Sequence, residues 1–374
     1  MDRRSRTLWT FAILVFLPAA NALSDESHRC SSSNVEYEIV EIGDGSPVAI
    51  NDHGQLTGTT SVSDEMERSF VWHCATGMQD IGALSATDPA VIAYDINNRG
   101  EVVGQNFTAG WEETLPFIWD RVNGMRAINT ESGIGYEVND WGDVALIEGP
   151  ASVWNASTGM RSFSDVTGVE VWQFPRINNL RQVGGMMIAT EGARFFLWGP
   201  LSGVRDLGPV PQSAARVAPE VTHMNELGDL VGTLPLEAAT LPFMVNRRGE
   251  LELLAEFSEG RTASSLRVNN HRQVVGLLSE GAGATSFVWD PSNGLRPFAE
   301  VLAGSPDAAK YSFTGAIDIN DRGWMAGHVV RKSDQSGAGA LFIPIPKNSR
   351  SLRRISELSG RQLCHALRKA RNRC

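Results

Sequence analysis

The sequence predicts an all-β fold, a seven-bladed β-propeller built of four-stranded antiparallel blades. Three observations predict it. A short pattern, apolar–Asn–x–x–Gly–x–Val–x–Gly, recurs seven times, anchored on Asn51, Asn97, Asn139, Asn178, Asn225, Asn269 and Asn320. The anchors are spaced by 46, 42, 39, 47, 44 and 51 residues, and a period near 45 marks a repeat whose single unit cannot bury its own apolar face. Each copy also carries short strand signals separated by turns, with 37 Gly in the chain and few helix signals, the pattern of a blade of about 40–50 residues.

Copy two shows how one unit should fold. Residues 93–96 form a short first strand. Asn97-Asn98-Arg99-Gly100 is a turn, because Asn hydrogen-bonds its own backbone and Gly100 supplies a positive φ. Residues 101–104 return as a second strand, 116–119 (PFIW) form a third, Asn123-Gly124 turns the chain, and 125–128 form the fourth. Copy seven runs to a third strand at 340–343 but has no fourth after it. Residues 37–43 (YEIVEIG), before the first copy, resemble the fourth-strand text at 78–82 (MQDIG). The N-terminal strand is therefore expected to complete the last blade, closing the ring without a covalent bond and removing the sheet edges that invite aggregation.

Aromatic residues recur in the third strands, as Phe70 with Trp72, Phe117 with Trp119, Trp154, Phe196 with Trp198, and Phe287 with Trp289. Alternation puts each pair on one face. Such a row could form a sugar platform, but regular aromatics at one strand position are expected to fill the space between blades. Val245 and Ile343, which replace the Trp in copies five and seven, suit packing.

The chain ends differ from the body. Arg3, Arg4 and Arg6, an apolar run over 8–17 and Ala20-Asn21-Ala22 read as an export signal over residues 1–22, too short to span a bilayer comfortably. The body is assigned to 35–346 and a basic, helical extension to 347–374. The extension holds nine Lys or Arg and one Glu; the first 22 residues hold three Arg and one Asp, which leaves 21 bases against 41 acids between them. An acidic body argues against nucleic-acid binding. The protein is expected to be secreted or periplasmic, monomeric, and without a transmembrane segment once the signal is removed. Cysteines then meet oxidising conditions. Of three connectivities, Cys30–Cys74 with Cys364–Cys374 is favoured, with a clamp between Cys30 and the tail as the alternative. Asn106 and Asn155 fit the glycan acceptor pattern.

The text Ile-Asn-x-x-Gly-x-Val-x-Gly, then Phe-x-Trp, then Gly-Met-x-Asp-x-Gly, resembles the HAF-type repeat of exported bacterial proteins. Asn97, Gly100, Gly104, Phe117, Trp119, Gly124 and Met125 carry the match in copy two, and the resemblance covers about residues 36–346. It implies a secreted β-propeller and names no activity. Copy three departs from the pattern with Leu146 in place of the last Gly. Copies four and six place Arg181 and Arg272 where the turn Gly stands, and those two turns are expected to take another type.

Propeller function gathers at a mouth of the axial channel. The residue two before each anchor shares the anchor's strand face and reads Ala49, Asp95, Glu137, Arg176, His223, Arg267 and Asp318 around the ring. Arg176, His223 and Arg267 make a basic arc against Asp318, Asp95 and Glu137. Arginine clamps carboxylates, so Asp95, Glu137, Arg176, Arg267 and Asp318 are candidate ligand-binding residues for an anionic or saccharide-like ligand or a protein partner. His223 is the candidate general base. Ion pairing across a wet channel is the structural alternative. No metal set, HExxH, Gly-x-Ser-x-Gly, P-loop or dinucleotide signature is present, and no cofactor is expected. The expected function is an exported, non-enzymatic binding scaffold. The alternative is an enzyme acting on an acidic saccharide or a small ester or lactone.

Overall fold

The computed structural model describes residues 35–346 apart from 64–65, 112, 130, 148–150, 212–217, 258–259, 282 and 306, together with Gln362 and His365. The export signal, Cys30, Cys364, Cys374 and the rest of the extension lie outside the described residues. The described chain is mostly strand, with two short α-helices at Phe163–Thr167 and Phe298–Leu302.

Strand pairing divides the chain into consecutive four-stranded antiparallel units. Strands Ala90–Ile96, Val102–Phe107, Thr114–Asp120 and Gly124–Ala127 pair in that order, and the other copies repeat the arrangement. Single parallel pairs, Glu67 with Ala90 and Thr240 with Thr262, join two neighbouring units at their edges. The last unit takes its outer strand from the start of the body. Val35–Gly43 pairs antiparallel with Gly337–Pro346, Ile39 opposite Phe342.

The apolar residues form seven clusters, and each draws on two consecutive units. Ala49 and Val71 pack with Val91, Ala93 and Phe117; Ala145 and Phe163 pack with Ile177, Val183 and Phe196. Another cluster joins the two ends of the chain, uniting Leu56, Phe70 and Trp72 with Trp324, Leu341 and Ile343. The third-strand aromatics therefore lie between units rather than on a platform, and Phe70, Phe117, Phe196, Phe287 and Phe342 are fully buried. Burying one such ring contributes about 2–3 kcal/mol.

Each first strand carries a β-bulge just before the anchoring Asn, for example between Ala93 and Asp95 or between Val221 and His223. A bulge re-aims the next side chain, and here it turns the residue two before the anchor toward the axis. It also explains the last Gly of the motif in copies one, two, five and seven. A Cβ at Gly104 would lie 2.0 Å from the Ile92 carbonyl oxygen, and one at Gly232 would lie 2.0 Å from that of Glu220. Copy three solves the same contact the other way round. Its Leu146 pairs with Gly135, a glycine on the bulged strand where copy two has Ala93.

Arg181 and Arg272 correct the sequence reading of their turns. Their φ values are 57° and 59°, in the same left-handed region as Gly100 at 77°, so the turn type is kept. A non-Gly residue there costs about 1–2 kcal/mol. Each Arg is offset by a two-pronged ion pair, Arg181 with Asp143 and Arg272 with the fully buried Asp229. Neither glycan motif is available. Asn106 is fully buried with its amide on Asp88, and the Asn155 amide donates to Asp143 and to the Trp141 carbonyl.

Candidate functional site at the asparagine turns

Each anchoring Asn uses its whole side chain. In Asn97, Oδ1 accepts from the N–H groups of Arg99 and Glu101, which fixes the turn. Nδ2 donates to Glu101 Oε2 at 2.7 Å and to the carbonyl of the next anchor, Asn139, at 2.8 Å. The second of these bonds repeats from copy to copy. Asn51 donates to Asn97, and the chain of bonds runs on through Asn139, Asn178, Asn225, Asn269 and Asn320, at 2.8–3.1 Å throughout. Asn320 donates back to the Asn51 carbonyl at 3.0 Å, across 269 residues of sequence. The seven anchors thus form a closed hydrogen-bonded ring, and each is nearly buried.

The position after each anchor builds a second ring, which sequence reading missed. It reads Asp52, Asn98, Asp140, Asn179, Glu226, Asn270, Asp321. Each backbone N–H donates to the side-chain oxygen of the next member, at 2.6–3.1 Å. Acid and amide alternate, so an amide can donate to the acids beside it; Asn98 Nδ2 contacts both Asp52 Oδ2 and Asp140 Oδ2. Seven members cannot alternate throughout. The pattern breaks at Asp321 and Asp52, adjacent carboxylates bridged by the Asp321 N–H to Asp52 Oδ1. The sequence held this signal in the residue after each Asn.

A third position, two after the anchor, forms the outer rim. Three consecutive copies present Trp141, Leu180 and Leu227, which are 58%, 59% and 42% exposed. The other four present His271, Arg322, His53 and Arg99. The rim is therefore apolar on one side and basic on the other. Trp141 is held by its Nε1–H on the Asn179 carbonyl and by the Arg181 guanidinium over its ring at 5.0 Å.

The rings enclose a cavity of about 140 Å³. Of the residues singled out two before the anchors, Asp95, Glu137, His223 and Asp318 line it, while Arg176 and Arg267 do not. Arg176 is buried, donates twice to the Val221 carbonyl, and lies over the Tyr136 ring. Arg267 donates to the carbonyls of Thr222 and Leu266. The acids brace neighbouring units: Asp95 accepts from the Val138 N–H, Glu137 from Ile177 and Asp318 from Ile50. Val268 N–H points at His223 Nδ1, 3.3 Å away, which leaves the proton on Nε2.

Burial dominates the electrostatics of the cavity. It pushes the Glu137 carboxyl up to about 7 and that of Asp95 to about 6, with each raised further by a neighbouring carboxylate. Asp318 and Asp321 are raised for the same reason. Glu226 is lifted to about 7 by burial, with Asp321 and Asp140 adding to it. Burial, Arg267 and Arg176 together hold His223 well below its usual value, so the ring is neutral at physiological pH. Among the described residues no group of His, Cys, Asp or Glu is placed to hold a metal ion, and no helix is long and apolar enough to cross a membrane.

No family model matches the chain, and no curated protein matches it. Solved structures do. Virginiamycin B lyase from Staphylococcus aureus, in a selenomethionine-substituted crystal structure, is 10% identical to the chain. The match covers 82% of this chain and 100% of that one, with a TM-score of 0.50. The same enzyme as a catalytically inactive variant with quinupristin matches equally well. The β-propeller domain of the Trilobed protease from Pyrococcus furiosus is 12% identical, covering 68% of this chain and 81% of that one at a TM-score of 0.44. At this identity the likeness shows the fold alone, an all-β chain with β-propeller neighbours.

Proposed function

We propose that the chain is a seven-bladed β-propeller of an exported, non-enzymatic binding protein of the HAF-type repeat family. Its asparagine-turn mouth takes a protein or peptide segment that carries an ammonium or guanidinium beside apolar side chains. One observation carries this reading: the mouth combines carboxylates, including Asp140 and Glu226, with the adjoining exposed arc of Trp141, Leu180 and Leu227. Carboxylates accept charge-assisted hydrogen bonds from a cation, and aromatic and aliphatic anchors around them supply the apolar part of a recognition patch.

An anionic ligand draws less support. Arg176 and Arg267 spend their donors on backbone carbonyls, and the ionisable groups in the cavity lining are mostly acids. The His223 tautomer presents a donor rather than a base, so turnover of a lactone or acidic saccharide is not part of the proposal.

The test is calorimetric titration with three probes: a basic–apolar peptide, its Lys/Arg→Glu counterpart, and a uronate oligomer. The basic peptide binds, and Asp140→Asn with Glu226→Gln weakens it by about tenfold or more, each lost charge-assisted bond being worth about 1.5–3 kcal/mol. Both substitutions keep the oxygen that accepts the neighbouring N–H. Tighter binding of the uronate oligomer, or equal binding by the double variant, would overturn the proposal.

A further inference from the structure

Both ends of the described body lie on the face that carries the mouth. The strand Met325–Arg331 leaves the Asn320 turn and runs away from it, and Gly337–Pro346 runs back antiparallel, with Phe342 opposite Met325. Residues 343–346 therefore continue past Met325 toward the turn, and Pro344 Cγ lies 3.8 Å from the position a Cβ would take on Gly323. The described body thus ends, at residue 346, on the face that carries the rings of asparagines, acids and rim residues. The 28 residues that follow include nine Lys or Arg, one Glu, and the apolar residues Ile355, Leu358, Leu363 and Leu367.

We propose that this C-terminal segment, residues 347–374, is the resident occupant of the mouth. Its apolar residues lie on Trp141, Leu180 and Leu227, and its cations lie over Asp140 and Glu226. The inference rests on the reading of the mouth given above and adds a regulation: an outside partner must displace the protein's own segment. Reach is ample. Fully extended, 28 residues span about 90 Å, whereas a body of this length has a radius of gyration of about 20 Å. Charge favours the contact, because the segment is strongly basic and the remainder of the body strongly acidic. The rest of the rim disfavours competing placements. Arg322, across the rim from that arc, repels a basic chain and leaves the apolar arc as the side where it can settle.

Lysine placement makes the test direct. The chain has four lysines, Lys310, Lys332, Lys347 and Lys369. Lys310 pairs with Asp307, and Lys332 reaches the Ala309 carbonyl, both at the far end of the last unit. Carbodiimide coupling of the full-length protein, followed by mass spectrometry, is expected to join Lys369 to Asp140 or Glu226 within one molecule. Links confined to acids elsewhere, or formed only between molecules, would overturn the proposal.

A second measurement uses a synthetic peptide of residues 349–371 with Ser in place of Cys364. It is titrated into the full chain and into a full chain carrying Arg353→Gln, Arg354→Gln, Arg368→Gln and Lys369→Gln. A tethered segment acts at an effective concentration on the order of 1 mM. Removing its charge should tighten peptide binding by about tenfold. Equal affinity for both chains refutes the resident segment and leaves the mouth reading standing. If the unrelated basic–apolar peptide binds and the 349–371 peptide does not, only this inference fails. If neither binds, the mouth reading fails and this inference with it.

Discussion

Replacing an anchoring Asn by Asp should separate the anchors into two classes. Asn225 and Asn178 make the same bond to the next unit, Nδ2 to the following anchor's carbonyl at 3.1 Å in each case. They differ in the second acceptor. Asn178 Nδ2 faces Gln182 Oε1 at 2.8 Å, and Asn225 Nδ2 faces Asp229 Oδ2 at 3.2 Å, where Asp229 is fully buried. In Asn178→Asp the Gln182 amide can turn over and donate. That variant loses the bond between units and leaves a carbonyl facing an acceptor, a cost of about 2 kcal/mol. Asn225→Asp has no such remedy. Two carboxylates about 3 Å apart repel by about 5 kcal/mol at an effective dielectric of about 20. Taking up a proton relieves this, and at pH 7 that costs a normal carboxyl about 4 kcal/mol. Asn225→Asp should therefore lose about 6 kcal/mol at pH 7 and about 2 at pH 4. The proton-sharing pair has a raised folded-state pKa, so its stability is present at low pH and lost as pH rises. Urea unfolding of both variants and the parent at the two pH values reads this directly. Equal losses at pH 7, or a gap that does not close at pH 4, would refute the role given to Gln182 and Asp229 as second acceptors of the anchors' amides.

Two further outcomes follow from the same geometry. Glu137 is raised by burial to about 7, so its contribution is full below about pH 4, where the unfolded group is also protonated, and is lost as pH rises through 7. Glu137→Gln should flatten that decline in a stability–pH profile and stabilise the protein at pH 8 by about 3 kcal/mol; an unchanged profile would contradict the burial argument. Gly104→Ala should unfold the protein or cost more than about 3 kcal/mol, since its Cβ would meet the Ile92 carbonyl oxygen at 2.0 Å, whereas Gly185→Ala, with Pro175 Cα at 3.3 Å, should cost about 1 kcal/mol. Thermal melts compare the two, and similar losses would remove the bulge-contact explanation of the motif.

The architecture was legible because each repeat declares its own turn. The anchor and the left-handed position after it mark a turn in every copy, and the text of residues 37–43 announced a strand in search of a sheet. What the anchors do for one another was not legible. Asn246-Arg247-Arg248-Gly249 makes the same kind of turn, with Asn246 Oδ1 accepting from Arg248 and Glu250, yet it lies outside the ring and its amide donates only to the exposed Glu250. Local text gives the turn, and only packing gives the bond to the neighbour.

The site was legible in part. Asp95, Glu137, His223 and Asp318 do reach the cavity, because strand alternation and the bulge agree about their direction. Arg176 and Arg267 share their sequence position but carry side chains long enough to find carbonyls on adjacent units. The acid–amide ring escaped because the residue after an anchor reads as a turn residue that faces solvent. In the folded ring the turn tips it inward. Arg181 and Arg272 misled for a related reason: propensity disfavours their φ, but Asp143 and Asp229 on neighbouring copies hold them in place.

Closure of the ring is the claim on which the mouth, its rings and its occupant all depend. Hydrogen–deuterium exchange of the full chain, resolved to Val35–Gly43 and Gly337–Pro346, tests it most directly. A strand that completes the last sheet and seals the circle opens only with the whole body, so the N–H groups of both segments that bond across the Val35–Gly43 and Gly337–Pro346 pair should exchange as slowly as those of Val102–Phe107. Rapid exchange of Val35–Gly43 while Val102–Phe107 stays protected would mean that the circle is open, and the cavity at its centre would not exist as described.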